Sequence, residues 1–98
     1  MGQILTTGIL STGVPKSTMF SITLAANSWN NSQYTISHED ITATNVIEMY
    51  PGIGLSDTVL KALTDANIIS VSQTTGELIL KATKVPTVDA TVILVIRK

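Results

Sequence analysis

The amino-acid sequence predicts an all-β fold, a small sandwich of about seven strands with one short helix near residues 57–66. Three observations carry this reading. Of the 98 residues, 35 are isoleucine, valine or threonine, whose β-branched side chains suit a pleated, half-buried surface and lose rotamer freedom in helices. Apolar and polar residues alternate with period two in several short runs, as strands covered on one face require. Turn-forming residues separate those runs, and a single stretch has helical spacing. The length suits one domain at most, so residues 1–98 are read as a single unit.

The elements follow in chain order. Residues 1–16 hold Gly2, Gly8, Gly13 and Pro15 among apolar side chains and are read as an N-terminal arm that pairs with a neighbour, or as an edge strand. Over 18–25, Phe20, Ile22 and Leu24 alternate with Met19, Ser21 and Thr23, the pattern of a strand with one buried face. A polar loop over 27–33 surrounds Trp29, and a strand resumes over 34–37. Another strand runs over 45–50 and stops at Pro51-Gly52. Ser56 is placed to cap a helix over 57–66, with Asp57 favourable at its N-terminus and Asn67 ending it in the left-handed conformation. Val59, Leu60 and Leu63 fall on one face of that helix. Runs at 68–73 and 77–82 flank Thr74-Thr75-Gly76, a hairpin loop in which the glycine takes positive φ. Lys84-Val85-Pro86-Thr87 breaks the ladder, because Pro86 lacks a donor and holds Val85 extended. The last strand, over 90–98, sends Val92, Leu94 and Ile96 to one face and Thr91, Ile93, Val95 and Arg97 to the other. Apolar residues on both faces require cover on both, from a second sheet or a neighbouring subunit.

Charge and composition narrow the function classes. Six basic and seven acidic side chains give a net charge of -1 with the histidine neutral, which offers no electrostatic footprint for nucleic acid or an anionic membrane. No apolar run approaches the ~18 residues of a membrane span, and the N-terminus does not read as a basic-then-apolar leader. Cysteine is absent, which removes disulfides, thiolate metal ligands and cysteine nucleophiles together.

Candidate chemistry is sparse. His38 stands beside Glu39 and Asp40, but adjacent strand residues point to opposite faces and no second histidine exists to complete a zinc site, so the cluster reads as a solvated turn. Gly52-Ile53-Gly54 lacks the third glycine and the lysine-serine pair of a phosphate loop and reads as a corner. A serine or threonine nucleophile needs a base held by a third group, and His38 is the only candidate base. Asp57, Asp65 and Asp89 are scattered through turn and cap positions, and Asp89 reads as closing a turn rather than binding calcium. The chain is therefore expected to be no enzyme, with no cofactor and no metal. Trp29, Tyr34 and Tyr50 could form a stacking platform for sugar rings, with Asn27, Asn30, Asn31 and Gln33 supplying amide hydrogen bonds. Equally, the tryptophan could plug the end of the core, with the amides shaping the loop. Candidate ligand-binding residues are thus Trp29, Asn30, Asn31 and Tyr34, and the reading they support is a module for cell-surface polysaccharide.

The order of motifs resembles a known class. Thr23-Leu24, Trp29, Tyr34-Thr35-Ile36 and Ile41-Thr42-Ala43-Thr44-Asn45 are followed by Asn67-Ile68, Gly76-Glu77-Leu78-Ile79-Leu80-Lys81-Ala82 and Pro86-Thr87-Val88-Asp89, with a closing strand over 92–96. Across residues 20–98 this is similar to the small C-terminal β-sandwich modules of tail-fibre, baseplate and minor structural proteins of phages and prophages of Gram-positive bacteria. The resemblance implies a non-enzymatic virion protein, made in the bacterial host cytoplasm and often trimeric, so its expected partners are its own copies and other virion proteins, while a host cell-surface polysaccharide is the partner of the alternative reading through Trp29. The modules it resembles sit behind a long shaft, so this chain is expected to be a separate decoration or head-fibre piece or a cut-out domain. They carry no ligand motif that transfers to residues here. A small core without disulfides gains stability when subunits bury one another's apolar faces. On that ground Ile93 and Val95 are the candidate residues of a homo-oligomer interface, while Val92, Leu94 and Ile96 belong to the subunit core.

Overall fold

A computed structural model describes residues 17–97. Among them are six strands, β1 (Ser17–Leu24), β2 (Gln33–Ser37), β3 (Val46–Pro51), β4 (Ile69–Thr74), β5 (Glu77–Lys81) and β6 (Ala90–Arg97), and one helix, α1 (Asp57–Ala66). The strands form two three-stranded sheets, ordered β1-β6-β3 and β2-β5-β4, with every ladder antiparallel. The all-β class and the short helix are as the sequence predicts. Residues 1–16, read as an N-terminal arm or an edge strand, lie outside the described residues.

Alternation in sequence becomes two facing layers. Phe20, Ile22 and Leu24 of β1 align with Leu94, Val92 and Ala90 of β6, and Ile47 and Met49 of β3 align with Ile96 and Leu94. From the other sheet, Tyr34 and Ile36 of β2 align with Leu80 and Leu78 of β5. These side chains join Ile41, Leu63, Ala66 and Ile68 in one hydrophobic core. Chain order explains how the layers are held. Only β4 and β5 are joined within one sheet, and every other connection crosses from one sheet to the other.

The crossing through α1 is built from local signals. The Ser56 hydroxyl accepts the Val59 N–H at 3.3 Å, and Asn67 ends the helix at φ 48°, ψ 58°. Leu63 and Ala66 are buried, and Val59 packs against the core. Leu60 corrects the expected face: it is 38% exposed, because the buried stripe centres on Leu63 and Ala66 and leaves Leu60 at its margin. Beyond α1, β4 carries a register shift between Ser70 and Ser72. The intervening Val71 has no partner on β5 and is exposed, while Ser70 is buried.

The crossing from β2 to β3 is irregular and is pinned by polar groups. Gly76 receives the His38 N–H on its carbonyl at 3.0 Å and donates its own N–H to Ile41 at 2.8 Å. Thr42 and Asn45 exchange side-chain-to-backbone bonds at 3.2 Å each. The Gln73 amide nitrogen reaches the Thr42 and Asn45 carbonyls at 2.7 Å each and Asn45 Oδ1 at 3.0 Å. Ile41 is thus held in the core although it belongs to no strand.

Candidate functional site

At the end of the sandwich where β1 passes to β2, the polar loop over 27–33 takes a definite shape, a 3₁₀ turn (Ala26–Ser28) that leads into a tight reversal. Asn30 and Gln33 exchange backbone bonds at 2.8 and 2.9 Å. Between them Asn31 and Ser32 both take positive φ, 52° and 65°, the combination that a two-residue hairpin turn needs. Asn31 is among the residues that accept it most readily. An Asn-Ser pair lacks the usual glycine, so the hairpin signal in the sequence is weak.

This turn brings Asn30, Asn31 and Tyr34 to one open depression of about 440 Å³, completed by Ser28, Gln33 and Thr35. Trp29 is not part of its lining. The indole packs against the core and meets Tyr34 edge-on, with ring centroids 5.3 Å apart at 65°. Its Nε1 is buried and finds no hydrogen-bond partner among the described residues. The Tyr34 hydroxyl donates to the Thr23 carbonyl and receives the Ala25 N–H, both at 3.4 Å. Tyr50 lies elsewhere, paired with Ile93 in the other sheet, so the three rings do not form one platform.

The outer face of β1-β6-β3 holds the second set of candidates. Register aligns Val95 with Met19 and Glu48, Ile93 with Ser21 and Tyr50, and Arg97 with Ser17 and Val46. Ile93 and Val95 on the central strand are 8% and 3% exposed, whereas Met19 and Val46 on the flanking strands are 49% and 59% exposed. On this face Arg97 and Glu48 form an ion pair at 2.7 Å. Sequence reasoning singled out the central pair and missed the flanking residues, because period-two alternation does not say which strand is central.

The acidic and histidine positions fall into structural roles. The His38 ring stacks on Phe20 at 4.4 Å and its Nδ1 accepts the Asp40 N–H at 3.0 Å. Asp40 accepts the Thr18 hydroxyl at 2.5 Å. Asp89 accepts the Ala26 N–H at 2.8 Å and ties the last crossing to the 3₁₀ turn. Among the described residues no three His, Asp or Glu side chains gather as a metal ion would need, and no helix is long and apolar enough to cross a membrane. No protein-family model, no curated protein and no solved structure matches this chain.

Proposed function

We propose that this chain is a non-enzymatic assembly module of a phage particle, acting as a homotrimer through the outer face of the β1-β6-β3 sheet. The virion setting rests on the resemblance of residues 20–98 to C-terminal modules of tail-fibre, baseplate and minor structural proteins. The observation that carries the assembly reading is the apolar strip formed by buried Ile93 and Val95 with exposed Met19 and Val46 beside them. A second copy is a fitting occupant, because among the described residues the face has one ion pair, neutralised internally, and these residues present no net charge to repel their own image. In that setting Ile93 and Val95 form the floor of the interface, and the flanking side chains make the contact.

The test is native mass by light scattering behind size exclusion, across a dilution series. The expected result is a trimer that Met19→Lys converts to monomer. Thr35→Lys, on the opposite sheet, serves as the control and leaves the mass unchanged. Both sites are exposed, so neither lysine burdens the fold. A monomer at every concentration overturns the proposal.

A further inference from the structure

We infer that the depression beside the Asn31-Ser32 turn binds a neutral saccharide, held by side-chain amides at the open edge of β2 and not by the face of Trp29. The inference concerns the sheet that the assembly proposal does not use, and it stands independently of it.

Three features converge there. The side-chain amides of Asn30, Asn31 and Gln33 make no hydrogen bond within the described residues, so each keeps its donors and its acceptor for a ligand. Sugar hydroxyls also donate and accept, and paired amides satisfy both capacities at once. The turn is fixed by its two reciprocal backbone bonds, which lowers the ordering cost of presenting those amides. No charged side chain is among the six lining residues, which favours a neutral ligand over an anionic one.

The backbone adds a further pair of groups. Gln33 spends its N–H and carbonyl on Asn30, and therefore directs them away from β5. Residues two apart on a strand point the same way, so Thr35 directs its N–H and carbonyl to the same side. Among the described residues that side is the open edge of the sheet, and the depression lies against it. Tyr34 completes the lining, its ring packed against Trp29 and the core and its hydroxyl engaged with β1.

The experiment is a titration of the intact protein with cellotriose, maltotriose and chitotriose, with trigalacturonate as the anionic counterpart. It is followed by the nuclear magnetic resonance signals of the Asn and Gln side-chain amides and by the fluorescence of the single tryptophan. Concentrations up to about 10 mM suit the millimolar affinity of a shallow site. The expected result is that at least one neutral trisaccharide shifts the Asn30, Asn31 and Gln33 signals. Gln33→Ala and Asn31→Gly should each weaken it by about 3–10-fold, the effect of losing one or two hydrogen bonds. Glycine keeps the positive φ at position 31, so that variant retains the turn. Three outcomes overturn the inference: no neutral trisaccharide moves those signals, both variants bind as the parent does, or trigalacturonate binds more tightly than every neutral probe. The last would assign the recognition to Lys81, the cross-strand partner of Gln33. Each of these outcomes leaves the oligomer test unaffected.

Discussion

A Cβ on Gly52 would stand 2.7 Å from the Thr91 carbonyl oxygen, the same atom that accepts the Gly52 N–H at 2.9 Å. The bond and the close approach come together, so Gly52→Ala must push β3 away from β6 and is expected to lower stability by about 1–3 kcal/mol. Gly54, at φ 75° with no neighbour within 4 Å, has only its conformation to lose, and Gly54→Ala should cost about 1 kcal/mol. Denaturant midpoints of the two variants would separate contact from conformation. Ser56→Ala removes the bond to Val59 and should cost about 1 kcal/mol by the same measurement. Caps were legible in the sequence because Ser56 and Asn67 act on groups within a turn of themselves. The need for glycine at 52 was not, because Thr91 comes from a strand far along the chain. Trp29 was legible as a core plug or a platform but not as one of the two, since only packing against Tyr34 decides it.

Among the elements, α1 gives the sharpest contrast. Leu63 is buried and Leu60 lies at the margin, so Leu63→Ala is expected to cost about 2–5 kcal/mol and Leu60→Ala within about 0.5 kcal/mol. Equal losses in urea melts would restore Leu60 to the buried face. Gln73 is the corresponding test of the crossing between β2 and β3. Gln73→Ala strips the Thr42 and Asn45 carbonyls of a shared donor and should cost about 1–3 kcal/mol, with faster amide exchange over residues 38–45 as its local signature. Strand positions were readable to within a residue or two, because alternation and turn residues are local. Strand partners were not. The apolar double face of β6 announced cover on both sides, yet nothing near it named β1 and β3 as its neighbours. The shift at Val71 was equally hidden, since an extra residue in one strand is defined only against the other.

At the scale of the whole molecule, burial decides which residues can test assembly. Lysine at Ile93 or Val95 would enter positions 8% and 3% exposed and should unfold the subunit, whereas lysine at Met19 probes the contact alone. Circular dichroism of the Ile93→Lys and Met19→Lys variants checks this, with loss of β signal expected only in the former. The site at the β2 edge was legible in part: Asn30, Asn31 and Tyr34 could be singled out, but Thr35 enters through the direction of its backbone, which no residue type reveals. The position of β6 has a further consequence for synthesis. It is the middle strand of its sheet and follows both β1 and β3 in the chain, so neither flanking strand can complete its ladder until Ala90–Arg97 has emerged from the ribosome. The β2-β5-β4 sheet has all its strands earlier and can assemble first. A nascent chain halted at residue 89 would therefore display one finished sheet and two bare apolar strands, a species prone to pairing with its neighbours on a polysome. Emergence of β6 would close the second sheet in one step.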